Sequence, residues 1–265
     1  MTVTLERGDQ TIELAVHGSG ARAVLLLHNL LCSREVFAGQ IERLSASHRV
    51  IALDLRGHGG SRAARRAFSV RDLADDAIAA LDHLGIEAAT VVGVSLGATV
   101  AMELALTHPG RVGGLVLMGA SARAASLDDR IQNTLLAAFV RGVGLTPFVL
   151  RQVLPILFGR SFLEAGGEVL EAWKTRLRGV DRRGTWHAVR CWVTRPDHTE
   201  RLHEIEARTM VVVGDEDASH PPPLGELIAS KIPGATVARL HAGHSMTVEQ
   251  PAAAAELLER FLSAE

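Results

Sequence analysis

Short apolar runs alternate with amphipathic stretches along most of the chain. Seven runs rich in β-branched residues or leucine are predicted to form β-strands. They occupy residues 11–16, 23–27, 49–53, 90–94, 114–118, 209–213 and 236–240. Several are apolar throughout, as strands buried on both faces of a parallel sheet require. Amphipathic stretches such as 70–84 and 251–262 are predicted to be helices that cover this sheet, which indicates a doubly wound α/β fold.

Residues 121–201 break this alternation, because no strand-like run occurs there and the pattern becomes helical with glycine and proline interruptions. We interpret the segment as a helical cap inserted into a core domain formed by residues 1–120 and 202–265. All three tryptophans lie in the cap. A cap that covers an apolar pocket needs large apolar side chains. The candidate pocket residues are Phe139, Trp173, Trp186 and Trp192 from the cap and Met118 from the strand before it. Alternatively, these aromatics only pack the cap against itself and the core.

A Gly-x-Ser-x-Gly motif follows the predicted strand 90–94 and precedes a helical stretch. It reads Gly93-Val94-Ser95-Leu96-Gly97. In this context the turn is so tight that glycine is needed on both sides, and it lifts the serine hydroxyl above the sheet edge. Ser95 would then meet the positive end of the helix, and the backbone N–H of Leu96 would point at an oxyanion. Ser95 is therefore the candidate nucleophile.

A serine nucleophile needs a base, and the chain has 12 histidines. His244 follows the last predicted strand, so it is expected at the carboxyl edge of the sheet, where open α/β sheets bind ligands. His241, slightly earlier, is the main alternative. The acid that orients the base is expected in the loop after the sixth predicted strand, which offers Asp215, Glu216 and Asp217. The chain order serine, acid, histidine favours this loop.

The loop after the predicted strand 23–27 is expected to supply a second backbone donor. It reads His28-Asn29-Leu30-Leu31-Cys32-Ser33. We expect the N–H of Leu30 to face that of Leu96, so that the two groups form an oxyanion hole.

Together these motifs resemble the α/β-hydrolase superfamily over essentially the whole chain. The matching elements are the His28 loop, the run Asp-Leu-Arg-Gly-His-Gly-Gly-Ser at 54–61, the elbow at Ser95, Gly214-x-x-Asp217-x-x-x-Pro221, and Gly243-His244 leading to Glu249-Gln-Pro251. The resemblance implies a mostly parallel eight-stranded sheet with the cap after its sixth strand. It also implies that Asp217, rather than Asp215, is the triad acid.

The overall layout is most similar to small capped esterases and 3-oxoadipate enol-lactonases. One departure concerns Asn29, because the family usually has glycine after the histidine of this loop. A differently shaped oxyanion loop is therefore expected.

Composition and charge exclude several kinds of partner. Hydrophobic residues make up 47% of the chain and charged residues 22%, as in a globular protein with a large core. The formal net charge is -2 and no basic run occurs, so nucleic acid is not an expected partner. No segment resembles a signal peptide or membrane span, and a cytoplasmic protein is expected. Cys32 and Cys191 are expected to be free thiols.

The leading hypothesis is a cofactor-free and metal-free serine hydrolase that acts on a small-molecule ester or lactone. The triad Ser95, His244 and Asp217 would form an acyl-enzyme. A second hypothesis is hydrolysis of a carbon–carbon bond in a vinylogous diketone, with Arg190 beside Trp192 as an additional polar group.

Two further classes of protein are compatible with parts of this pattern. A ligand sensor would keep the triad, turn over slowly or not at all, and signal through the cap; multiple-turnover kinetics separates it from an enzyme. A metal hydrolase is disfavoured because His198, His203 and Glu204 lack the spacing of known metal motifs.

Overall fold

A mostly parallel sheet lies at the centre of the protein, for which the computed structural model describes residues 1–8, 10–61 and 66–264. Its strands are β1 (Thr2–Arg7), β2 (Gln10–His17), β3 (Ala23–Leu27), β4 (Arg49–Leu53), β5 (Ala89–Val94), β6 (Val112–Met118), β7 (Arg208–Gly214) and β8 (Thr236–Leu240). They are ordered β1-β2-β4-β3-β5-β6-β7-β8. Only the β1–β2 and β2–β4 pairs are antiparallel. The predicted α/β fold with an eight-stranded, mostly parallel sheet is confirmed.

The strand β1 has no counterpart among the seven apolar runs read from the sequence. Only Leu5 of its six residues is buried, because β1 is the outermost strand and pairs with β2 alone. An edge strand of this kind is fixed by its partner rather than by its own hydrophobic pattern.

Helices cover both faces of the sheet. The core helices are α1 (Ala38–Leu44), α2 (Val70–His83), α3 (Leu96–Thr107), α9 (Pro222–Lys231), α10 (Met246–Glu249) and α11 (Pro251–Ser263). Alternate residues of β3 enter separate hydrophobic layers: Leu25 and Leu27 pack in the layer that contains α2, while Val24 and Leu26 pack in the layer that contains α11. This two-sided burial explains why the central strands are apolar throughout.

Five helices connect β6 to β7 and form the cap. They are α4 (Leu127–Val143), α5 (Pro147–Leu157), α6 (Arg160–Ala165), α7 (Glu168–Arg178) and α8 (Arg182–Val193). The helix α4 packs along α8. Within the described ranges, no helix combines the length and apolar character that crossing a membrane requires.

Candidate active site

Ser95 occupies a strained turn between β5 and α3. Its backbone has φ 54° and ψ -109°, and residues other than glycine rarely adopt a positive φ of this kind. A Cβ at Gly93 would overlap the carbonyl of Gly97, and one at Gly97 would overlap the carbonyl of Leu27. The N–H of Ser95 donates to the carbonyl of Met118 at 2.9 Å. The two glycines and this bond hold the serine at the end of the sheet.

Asp217 and His244 form a buried pair in the loops that follow β7 and β8. The Nδ1 of His244 lies 2.8 Å from Oδ2 of Asp217. The other carboxylate oxygen, Oδ1, accepts the backbone N–H groups of Ser219 at 2.9 Å and His220 at 2.8 Å. The carboxylate is therefore fixed by three hydrogen bonds. Nε2 of His244 remains as the ring nitrogen for a proton exchanged with a substrate or with Ser95.

The other candidate acids and the alternative base lie away from this pair. Asp215 binds Arg239 at 2.9 Å, and its side chain is largely exposed. Glu216 accepts the N–H of Ser161 in the cap at 2.7 Å. The side chain of His241 is 71% exposed and lies 3.6 Å from Glu216. The structure thus brings Asp217, and none of its neighbours, to His244.

A second imidazole at the site, that of His220, was not among the predicted site residues. Its ring is 5.0 Å from that of His244 in an edge-on arrangement, and its Nδ1 lies 2.7 Å from the carbonyl oxygen of Gly119. Burial, and then the charge of His244, lower the pKa of His220 to about 4. His220 therefore stays neutral near pH 7. Its place inside the Asp217-x-x-x-Pro221 motif was a possible signal, but the motif does not reveal that its ring packs against His244.

The loop after β3 is held by hydrogen bonds to two histidines. Leu31 has φ 67°, and its N–H donates to Nε2 of His58 at 3.2 Å. Burial lowers the pKa of His58 to about 3, so this nitrogen remains an acceptor. Nε2 of His28 accepts the N–H of Leu55 at 3.0 Å. Neutral imidazoles therefore tie this loop to the segment that follows β4.

Asn29, the departure from the family pattern, is buried. Its Nδ2 donates to the hydroxyl of Ser245 at 3.2 Å, next to His244. The extra side chain therefore connects the loop after β3 to the loop after β8. Leu96, as the first residue of α3, has no acceptor for its N–H within the helix.

A cavity of about 100 Å³ lies between the sheet edge and the cap. Ser95 and His244 both line it, together with Leu30 from the loop after β3. The remaining lining residues are Leu31, Asn133, Leu136, Ala137, Val140, Leu145, Val153, Ile156, Leu157, Thr185, Val189, Trp192 and Ser219. The arrangement places a serine hydroxyl and a carboxylate-bound imidazole at the bottom of an apolar chamber.

The sequence of this chain is similar to those of known hydrolases. A family model of the alpha/beta hydrolase fold matches residues 22–152. 3-Oxoadipate enol-lactonase 2 of Acinetobacter baylyi is 28% identical over 252 residues, which cover 94% of this chain and 92% of that protein. A putative carbamate hydrolase, RutD, of a Caulobacter species is 30% identical over 256 residues, which cover 94% and 95%. The chain belongs to the α/β-hydrolase superfamily.

Solved structures agree with this assignment. A thermophilic esterase from Thermogutta terrifontis superposes with a TM-score of 0.92 at 29% identity, over 100% of this chain and 98% of the esterase. The protein is therefore a hydrolase of this fold.

The cap of this hydrolase does not place the predicted pocket residues together. Trp192 lines the cavity. Trp173 is buried in the hydrophobic layer that contains α11, and Met118 is buried within the sheet. Phe139 is 52% exposed on the outside of α4. Trp186 lies between Arg141 and Arg190, whose guanidinium carbons are 5.6 and 5.8 Å from its ring. The prediction of pocket residues is therefore wrong at these four positions: Trp173 and Met118 are buried in the hydrophobic core, Phe139 faces solvent, and Trp186 packs against two arginines.

Glu249 joins the cap to the loop that carries His244. Its Oε2 accepts the backbone N–H of Gly243 at 2.8 Å and that of Gly159, at the start of α6, at 3.0 Å. A Cβ at Gly243 would overlap the backbone of Gly159. The N–H of Ser245 also donates to the carbonyl of Leu157 at 2.9 Å. Burial raises the pKa of Glu249. The Glu249-Gln-Pro251 motif signalled this residue without indicating its partners.

Proposed function

We propose that the protein hydrolyses a carboxylic ester or lactone through an acyl-enzyme. The observation that carries the proposal is the buried Asp217–His244 hydrogen bond in the same cavity as Ser95. Relatives named as an enol-lactonase and an esterase support the choice of bond.

In the first step His244 accepts the proton of Ser95 while Oγ attacks the carbonyl carbon. The N–H groups of Leu96 and Leu30 stabilise the oxyanion; the neighbouring Leu31 N–H is already bound to His58. His244 then returns the proton to the leaving alcohol, and the acyl group stays on Ser95. In the second step His244 takes a proton from water, the resulting hydroxide attacks the ester, and the acid is released with Oγ reprotonated. Asp217 stabilises the imidazolium in both steps.

The alternative of carbon–carbon bond hydrolysis loses its support. Arg190, the candidate polar group for carbon–carbon hydrolysis, is exposed and lies over Trp186 outside the cavity. A carbamate is a second candidate substrate for the same residues, since one relative is named as a putative carbamate hydrolase. A sensor would bind ligand without multiple turnovers.

The test is turnover of a graded series of p-nitrophenyl esters and lactones by Ser95→Ala. We expect kcat to fall by roughly 10⁴ to 10⁶ while the circular dichroism spectrum is unchanged, because the hydroxyl forms the bond. Ser219→Ala is the matched control, since Ser219 lines the same cavity and contacts the triad only through its backbone. Mass spectrometry of the quenched enzyme should show the acyl group on Ser95. A Ser95→Ala variant that keeps a tenth of the activity would overturn the proposal.

A further inference from the structure

The cavity wall is apolar apart from a few uncharged groups. Beyond Ser95 and His244, its polar side chains are those of Asn133, Thr185 and Ser219. Among the described residues that line it, no Lys, Arg, Asp or Glu occurs. A carboxylate bound there would therefore be removed from water with no cation to compensate, which is strongly unfavourable.

Three arginines pack against the tryptophans of α8. Arg195 is 4.2 Å from the ring centre of Trp192, and it donates to the carbonyls of Arg123 at 3.0 Å and Trp192 at 2.9 Å. Arg141 and Arg190 lie over Trp186. None of these three arginines lines the cavity, so they offer no cation to a negatively charged substrate there.

Thr185, in α8, lacks the local hydrogen bond that several other threonines in or at the end of helices make. Thr247, in α10, lacks one as well, but it does not line the cavity. The hydroxyls of Thr107, Thr175 and Thr194 donate to the carbonyl four residues earlier, at 2.7, 3.0 and 2.8 Å. This local bond is the usual way in which a helical threonine satisfies its hydroxyl. The hydroxyl of Thr185 is buried and has no hydrogen-bond partner among the described residues, although Thr185 lines the cavity. A buried hydroxyl without a partner costs free energy that a ligand oxygen can restore.

We propose that the substrate is an electrically neutral ester or lactone, whose acyl part is apolar except for one oxygen that accepts a hydrogen bond from Thr185. The inference rests on the proposed function of Ser95. It adds a substrate class, a neutral oxo- or hydroxy-acyl group, and a specificity residue. The lack of charge follows from the wall, and the position of the oxygen follows from the unpaired hydroxyl.

Three methyl esters of matched shape test the proposal: pentanoate, 4-oxopentanoate and the monoester of succinate. They differ at the far end of the chain by an ethyl, an acetyl and a carboxylate group. The acid released is titrated to obtain kcat/KM. We expect the 4-oxopentanoate to be best, and the succinate monoester to be at least about 100-fold worse than the pentanoate. Equal turnover of the succinate monoester and the pentanoate would overturn the substrate class alone. If none of the three esters is hydrolysed, the proposed function is overturned as well.

Thr185→Val tests the hydrogen bond, because valine keeps the shape and removes the hydroxyl. The ratio of kcat/KM for 4-oxopentanoate to that for pentanoate should fall by about 3- to 10-fold, the value of one neutral hydrogen bond, and Thr185→Ser should retain it. Thr194→Val, directly after the last residue of α8 and bound to the carbonyl of Arg190, is the matched control and should keep the wild-type ratio. An unchanged ratio in Thr185→Val would exclude Thr185 as the specificity residue.

Discussion

The sheet edge and the cap wall enclose the same cavity but are built in opposite ways. At the sheet edge, each oxygen of Asp217 is hydrogen-bonded, and the loop at Leu31 is held by a neutral histidine. On the cap wall, apolar side chains predominate and the hydroxyl of Thr185 is left unpaired. Proton transfer requires groups held within a fraction of an ångström, whereas selection of an acyl group requires mainly shape. The contrast fits the proposal that the core carries the chemistry and the cap the selectivity.

Glu249 connects the two regions. This carboxylate binds one backbone N–H from the loop of His244 and one from the start of α6, so it attaches the cap to the core beside His244. The helix α4, by contrast, leaves an apolar outer side exposed, including Leu127, Leu135 and Phe139. The side of the cap beside His244 is thus hydrogen-bonded to the core, whereas the outer side of α4 faces solvent.

The largest effect is expected at Asp217, the proposed triad acid at the sheet edge. Asp217→Asn should lower kcat by roughly 10² to 10⁴, because an amide cannot stabilise the imidazolium and permits the wrong tautomer. Asp215→Asn is the matched control, since its side chain binds Arg239 at the surface. We expect it to stay within about twofold of wild type, consistent with the small contribution of exposed ion pairs. Steady-state kinetics on one ester measures both, and equal impairment would show that the acid is misassigned.

A smaller loss is expected when the junction between the two regions is broken. Glu249→Ala leaves two buried N–H groups, of Gly159 and Gly243, without an acceptor and should lower the free energy of unfolding by about 2–4 kcal/mol. It should also reduce kcat more than it changes KM, because the loop of His244 loses its attachment. Glu249→Gln keeps an acceptor oxygen and should restore both values. If Glu249→Gln is as impaired as Glu249→Ala, the charge rather than the junction is required.

The pH dependence of stability tests the same carboxyl group. Its pKa is raised above the ordinary 4.5, mainly by burial. For an acid with a raised folded-state pKa, the associated stability is present at low pH and is lost as the pH rises through the folded pKa. The wild type should therefore lose stability relative to Glu249→Gln as the pH increases from 4.5 to 7. Urea unfolding at several pH values measures this difference, and a difference that stays constant over this range would contradict the sign.

The core could be predicted from the sequence because its signals are local. An apolar run marks a buried strand, and the residues just after it must lie at the carboxyl edge of a parallel sheet. These local signals place Ser95, Asp217 and His244 at that edge, where the structure has them. His220 and Gly119 were not predicted, since their contact with the pair depends on how two loops fold against each other.

The cap wall could not be predicted, because a helical period indicates that one side is buried but not what it faces. Trp186 and Trp192 lie on the same helix, yet Trp192 lines the cavity while Trp186 lies between two arginines. Thr185 carried no signal at all. The role proposed for it depends on a hydroxyl that lacks the usual bond to its own helix, and only the structure shows this.

The smallest effect, and the sharpest test of selectivity, is expected at Trp192. Trp192→Ala removes part of the wall and should improve kcat/KM for a longer acyl chain relative to a shorter one by about fourfold, since each added methylene contributes about 0.8 kcal/mol of burial. Trp186→Ala, on the same helix, is the matched control and should leave the preference unchanged. Trp173→Ala should instead destabilise the fold by about 3–5 kcal/mol, because its side chain is buried away from the cavity. Rates for a series of linear p-nitrophenyl esters and thermal unfolding curves separate the three variants. If Trp186→Ala shifts the chain-length preference as much as Trp192→Ala, the cavity wall extends beyond the residues that enclose it in this conformation, and the cap must reorganise around the substrate.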